Sequence, residues 1–177
     1  MEAQVLNQRG ELRLKGLTQF GYRDFSGKNS LNGSGDGTIV VQITDPAVQE
    51  LLEEYNYPLK YPDLKERPDN FAYPTISVKI RYVSPRTNTP VKRPPEIRLI
   101  QLDEHDEVVA NTLIDDVHRD KLDSADIRYI NMDIRHWEYE PGKYSVYLVK
   151  MAVIANVDYY EERYKVTRRD EEERAFM

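Results

Sequence analysis

Apolar and polar positions alternate along several short segments of the chain, which predicts a protein built mainly from β-strands. In residues 75–83 the apolar side chains share one face of the strand, while Ser77, Lys79 and Arg81 share the other. A basic, solvent-facing strand face is what a groove for phosphates needs. Further strands are predicted over residues 11–25, 38–44, 97–102, 107–111, 127–134 and 144–155.

One amphipathic helix is predicted between the strand at residues 38–44 and the strand at residues 75–83. Asp45 can cap its first turn, and Pro46 suits the first helical position. The apolar positions that follow recur at the spacing of one helix face, at Val48, Leu51, Leu52 and Tyr55. Short strands separated by turns, with one inserted helix, indicate a mainly β fold in the form of a small β-barrel.

The chain divides into three predicted regions. Residues 1–10 are expected to be flexible, residues 11–160 to form a single domain, and residues 161–177 to form a charged C-terminal helix or tail. A length of 177 residues is enough for one domain with its own hydrophobic core.

Three features of the sequence bear on the compartment. No apolar run approaches the roughly 20 residues that a membrane-spanning helix needs. The first residues lack the apolar core of a secretory signal. The chain has no cysteine, which fits a reducing compartment. We therefore expect a cytoplasmic protein without a membrane partner.

The charge of the chain is divided into blocks of opposite sign. The net charge of −6 argues against binding of nucleic acid, but the distribution of charge along the chain matters more than its sum. Residues 71–101 carry six basic residues and one acidic residue, whereas residues 102–126 carry nine acidic and two basic residues. Two alternatives stay open: the chain presents a basic face, or the two blocks pair with each other.

The sequence contains no motif that indicates catalysis. His105, His118 and His136 do not stand at a spacing typical of metal ligands. The acidic residues 115–126 lack the glycine and the final glutamate of a calcium-binding loop. We therefore predict a protein that is not an enzyme, with no cofactor and no metal.

Binding of single-stranded nucleic acid is better supported, because it needs aromatic rings close to positive charge. The predicted phosphate contacts are Lys79, Arg81, Arg86, Lys92, Arg93 and Arg98. The predicted stacking residues are Phe71, Tyr73, Trp137 and Tyr139.

The positions of the other rings are less uniform. The 13 tyrosines either provide stacking rings or are half-buried strand residues. Tyr82 is expected in the core, because it shares a strand face with Ile80. For Tyr147 a core position and a surface position both stay open, and Trp137 is either exposed or closes one end of the barrel.

The end of the chain combines acidic residues with a hydrophobic tip. This pattern resembles the tails by which many single-stranded DNA-binding proteins recruit replication partners. The residues that would form such a partner-binding tail are Glu171, Glu172, Glu173 and Phe176.

Several short motifs, in a fixed order, resemble a family of phage and prophage single-stranded DNA-binding proteins with an OB fold. They lie at residues 23–28 (RDFSGK), 46–61 (PAVQELLEEYNYPLKY), 76–82 (ISVKIRY), 93–100 (RPPEIRLI), 122–153 and 161–164 (EERY). The resemblance implies an OB-like five-stranded barrel with an added helix. It also implies a protein that coats single strands during phage DNA replication or recombination, in the cytoplasm of the infected bacterium.

Other functions remain as alternatives. The chain is also compatible with a protein-interaction module, such as a phage inhibitor of a host or defence protein, whose acidic segment mimics nucleic acid. A hydrolase or nuclease is the least favoured hypothesis. The sequence leaves open whether the protein forms a homo-oligomer and whether it prefers DNA or RNA.

Overall fold

A computed structural model describes residues 1–28, 35–63 and 73–157 of the chain. The fold is mainly β, as predicted. Its strands are β1 (Glu2–Val5), β2 (Leu12–Leu17), β3 (Phe20–Asp24), β4 (Gly37–Gln42), β5 (Thr75–Ile80), β6 (Glu96–Leu102), β7 (Val108–Ile114), β8 (Asp126–Glu140) and β9 (Lys143–Asn156). Its helices are α1 (Pro46–Glu54), α2 (Asp120–Asp123) and a short 3-10 turn at Asp116–His118.

Strand β9 organises the sheet, whose order is β1-β2-β8-β9-β5-β4-β3. One edge of β9 pairs with β8 in a long antiparallel hairpin. The other edge is divided between two parallel partners, first β5 and then β6, and β6 in turn carries β7. Because β9 is 14 residues long, its edge has room for both partners.

The sheet is open rather than closed, which corrects the prediction of a barrel. Strands β1 and β3 end the pairing path, and within the described residues they do not pair with each other. In addition, the divided edge of β9 makes the sheet branch towards β6 and β7 instead of forming a single ring of strands. The alternation of the sequence specifies strands, but it does not specify how their edges meet.

The inserted helix α1 forms where the sequence predicts it. The side chain of Asp45 accepts a hydrogen bond from the Ala47 amide at 2.9 Å, and Pro46 is the first helical residue. Val48 and Leu52 are the buried residues of its apolar face. Tyr57, just after the helix, donates its hydroxyl to the carbonyl of Gly10 at 2.6 Å. The helix is thereby fixed against the turn that joins β1 to β2.

The first residues of the chain form a strand that the sequence does not predict. Residues 1–10 were expected to be flexible, but Glu2–Val5 forms edge strand β1, which pairs with β2. The backbone pairing to β2 holds this segment, although its side chains are mostly exposed. The predicted C-terminal tail lies outside the described residues.

The apolar core lies on one face of the sheet. Ile39, Val78 and Val146 are buried neighbours on β4, β5 and β9. Tyr82 packs against this core, as the sequence predicts. The opposite face of these three strands carries mostly polar and aromatic side chains, among them Lys79 and Tyr147.

Several carboxylates of the acidic segment contact residues that lie outside the basic block. Asp123 accepts hydrogen bonds from the Phe25 amide at 2.8 Å and from the Ser26 amide at 3.3 Å. Arg119 donates to the Phe25 carbonyl and forms an ion pair with Asp116 at 2.9 Å. Within the described residues, no ion pair joins residues 103–126 to residues 79–98.

Gly27, which follows β3, lies so close to Gly35 that a side chain at position 27 would force the backbone to move. Its φ is +70°, and a Cβ atom there would overlap the carbonyl oxygen of Gly35. Gly35 is a matched control, because its φ is +75° but a Cβ would meet nothing within 4 Å. We expect Gly35→Ala to lower the free energy of unfolding by about 1 kcal/mol, from the positive φ alone. Gly27→Ala should lower it by roughly 2–3 kcal/mol.

Urea denaturation of both variants would measure the difference. Equal losses of stability would show that the close approach of Gly27 to Gly35 is not maintained in solution.

Candidate nucleic-acid interface

The register of three neighbouring strands brings charge and an aromatic ring into one row. Lys79 on β5 is directly opposite Tyr147 on β9, and Tyr147 is opposite Arg135 on β8. Directly paired residues point to the same face of a sheet, and the adjacent Val78 and Val146 point into the core. Lys79, Tyr147 and Arg135 therefore share the outer face.

A cavity of about 250 Å³ lies at this face. Ser84 and Val91, from the loop between β5 and β6, form part of its wall. The charged and aromatic residues that line it are Arg81, Arg93, Arg135, Trp137 and Tyr147. Three guanidinium groups and two rings thus meet in one depression, from segments that are far apart in sequence.

Arg81 is fixed within the cavity by two partners. Its guanidinium forms a two-pronged ion pair with Asp36, at 2.7 Å from Nη2 and 3.1 Å from Nε. Its Nη1 also donates to the Tyr147 hydroxyl at 3.1 Å. The side chains of Arg81 and Asp36 are only 21% and 6% exposed. The hydrogen bond to Asp36 raises the pKa of Arg81 above its usual value, so this arginine stays charged.

These contacts give Arg81 a positioning role. Its Cζ lies 5.1 Å from the centre of the Tyr147 ring, within the range of a cation–π contact. Asp36 already neutralises much of its charge. Arg81 therefore orients the Tyr147 ring more than it attracts an anion.

Arg93 and Arg135 supply the charge that is not neutralised. Both are exposed, and neither forms an ion pair with a carboxylate in the part of the chain that the structure describes. The Cζ of Arg135 lies 5.7 Å from the centre of the Tyr147 ring. An anion that enters the cavity can therefore contact two guanidinium groups that no carboxylate of the described residues neutralises.

Trp137 gives the cavity an open aromatic surface. Its side chain is 64% exposed, so it does not close the end of a barrel. It lies on the same strand as Arg135, two residues further along, and alternation puts both on the outer face. A large exposed ring beside unpaired arginines is the arrangement on which nucleobases stack.

The other predicted site residues are distributed more widely. Arg86 and Lys92 are exposed in the loop between β5 and β6 but do not line the cavity. Arg98 on β6 also lies outside the cavity, where it contacts Glu96 at 3.2 Å and Asn111 at 3.4 Å. Arg98 belongs to the basic block of residues 71–101, but it lies on β6, whereas Lys79 lies on β5.

The remaining aromatic residues predicted to stack on bases also lie away from the cavity or outside the described residues. Tyr73 is exposed just before β5, and Tyr139 is exposed on β8 beyond Trp137. Neither lines the cavity. The predicted stacking residue Phe71 lies outside the described residues. The same is true of the predicted tail residues Glu171, Glu172, Glu173 and Phe176.

Arg135 and Tyr147 line the cavity but are not among the phosphate and stacking contacts predicted from the sequence. A signal for both exists in the strand alternation. Leu148 is buried, so its neighbour Tyr147 points outwards, and Arg135 alternates with His136. His136 is partly buried on the inner side, where its Nε2 lies 2.6 Å from the Tyr55 carbonyl oxygen.

Two further findings concern the chemistry of the described residues. Among them, no three histidine or acidic side chains are placed so that they could hold a metal ion together. None of their helices has both the length and the apolar character to cross a bilayer.

Comparison of the chain with protein-family models, with curated proteins and with solved structures found no match. The resemblance to phage single-stranded DNA-binding proteins therefore stays a prediction.

The burial of Asp36 distinguishes a structural arginine from a surface arginine. Arg81→Met removes the two-pronged ion pair from a nearly buried carboxylate, so we expect the free energy of unfolding to fall by roughly 1–3 kcal/mol. Arg135→Met, at an exposed position, should change it by less than about 0.5 kcal/mol.

Thermal or urea denaturation of the two variants measures both values. If Arg81→Met were as stable as the wild type, the ion pair with Asp36 would not organise the cavity.

Proposed function

We propose that the protein is a non-catalytic, sequence-independent binder of single-stranded DNA. The observation that supports this best is the cavity in which Arg93 and Arg135, both unpaired within the described residues, adjoin the rings of Trp137 and Tyr147. In this proposal the two arginines contact phosphates and the two rings hold a base. Arg81 keeps the Tyr147 ring in position.

The shape of the site favours a single strand over a duplex. A ring can stack on a base only after the base has left its helical stack. The cavity volume of about 250 Å³ is below the roughly 300–1,000 Å³ of sites for drug-sized ligands. It suits a unit of about one nucleotide, with the rest of the strand lying on the surface.

The chemistry of the cavity favours binding that is independent of sequence. Every nucleobase offers a flat π-face, so stacking on Trp137 and Tyr147 does not select among the bases. Phosphate contacts carry no sequence information either. Ser84 adds one hydroxyl, which is too little for a set of base-specific hydrogen bonds.

We propose further that the sheet is an open relative of the OB barrel. Two features support this: β9 divides one edge between β5 and β6, and α1 is inserted between β4 and β5. The role in phage DNA replication or recombination, the cytoplasm of an infected bacterium and a partner-binding tail rest on the sequence resemblance. They form part of the same proposal.

A protein-interaction module is the second candidate, and one observation favours it. Large apolar side chains are exposed on and beside edge strand β7, at Val108, Val109, Leu113 and Val117. Exposed apolar groups of this kind are typical of surfaces that contact another protein. None of these four residues lines the cavity.

Fluorescence anisotropy of a labelled oligothymidylate, with salt titration, tests the main proposal. We expect Trp137→Ala to weaken binding by about 1–3 kcal/mol, because one stacking surface is lost. Arg135→Ala should weaken binding and reduce the magnitude of the salt slope by about 0.7.

Arg98→Ala is the matched control, because it removes an arginine of the basic block that lies outside the cavity. It should bind like the wild type. Wild-type affinity in the Trp137 and Arg135 variants, or affinity that does not fall as salt rises, would contradict the proposal. Absence of any oligonucleotide binding, together with a stoichiometric protein partner, would favour the second candidate.

A further inference from the structure

A second cavity, of about 390 Å³, adjoins the first and shares one residue with it. Arg93 lines both cavities. The other residues of the second cavity come from the turn between β1 and β2, and they are Asn7, Gln8, Arg9 and Glu11. A strand that leaves the first cavity past Arg93 would therefore enter the second.

The turn that supplies Arg9 is held by its own hydrogen bonds. The side-chain oxygen of Asn7 accepts from the Arg9 amide at 3.0 Å and from the Glu11 amide at 3.3 Å. Gly10 has a φ of +84°, and its carbonyl accepts the Tyr57 hydroxyl. The backbone of the turn is thus fixed, while the exposed Arg9 side chain remains available to a ligand.

The lining of the second cavity differs from that of the first in one chemical respect. It contains two guanidinium groups and two amide side chains, but no aromatic ring. Guanidinium and amide groups contact phosphate and sugar, whereas stacking needs a ring. The one carboxylate, on Glu11, accepts a hydrogen bond from the Asn7 amide at 2.9 Å.

We propose that Arg9 is a further nucleic-acid-binding residue, and that the second cavity takes the sugar-phosphate backbone of nucleotides adjacent to the stacked one. This inference rests on the proposed function of the first cavity. The proposed interface is asymmetric. The first cavity stacks a base on Trp137 and Tyr147 and contacts phosphates, whereas the second cavity, at Arg9, contacts only the sugar-phosphate backbone. The direction of the path is from Arg135 past Arg93 to Arg9.

The length of the oligonucleotide separates the two cavities experimentally. Anisotropy titrations would use oligothymidylates from about 4 to about 16 nucleotides, the range of site sizes for a single OB-like domain. The shortest oligothymidylate that shows binding should have the same affinity for Arg9→Ala as for the wild type. For longer ligands, Arg9→Ala should bind roughly fivefold more weakly, and the magnitude of its salt slope should fall by about 0.7.

Two further variants make the test specific. Arg128→Ala is the control, because Arg128 pairs with Asp106 and lines neither cavity. It should match the wild type at every length. Glu11→Gln removes a negative charge from the second cavity without removing the side chain, and it should bind the longer ligands more tightly than the wild type.

The outcomes distinguish failure of this inference from failure of the proposed function. If the wild type binds oligothymidylate but Arg9→Ala and Glu11→Gln match it at every length, only the second cavity is refuted. Equal weakening of Arg9→Ala at all lengths would also refute it, because the effect would then not depend on additional nucleotides. If the wild type binds no oligonucleotide, both proposals fail.

Discussion

The register between β5, β9 and β8 is the constraint on which the outer face depends. Lys79, Tyr147 and Arg135 stand in one row only because Val78 and Val146 are buried on the opposite face. A slip of one residue in a strand would exchange its two faces, burying charge and exposing the core. The buried apolar residues therefore fix the position of the basic and aromatic side chains.

The distribution of carboxylates explains how an acidic chain can present a basic site. Asp116 forms an ion pair with Arg119, and Asp123 accepts hydrogen bonds from the backbone amides of Phe25 and Ser26. Asp36 enters the site but is engaged by Arg81. The positive charge of Arg93 and Arg135 is left to face solvent, so a net charge of −6 does not describe this surface.

The sequence predicts the local elements well and their assembly less well. Strand β5, with its apolar and basic faces, and helix α1, with its Asp45 cap, follow from periodicity and capping, which depend on neighbouring residues. The open sheet does not follow, because it depends on which strands share the edges of β9. Arg81 and Arg93, both predicted from the sequence, line the same cavity, whereas Arg98, from the same basic block, lies on β6 and does not line it. Proximity in sequence indicates charge density but does not indicate a common surface.

Quenching of intrinsic fluorescence by poly-dT tests the central claim most directly, because Trp137 is the only tryptophan in the chain. A single strand that stacks in the cavity should strongly quench the tryptophan emission, and added salt should restore it as the phosphates are released. Unchanged emission at concentrations where anisotropy shows saturated binding would contradict the account, because it would place the single strand away from Trp137.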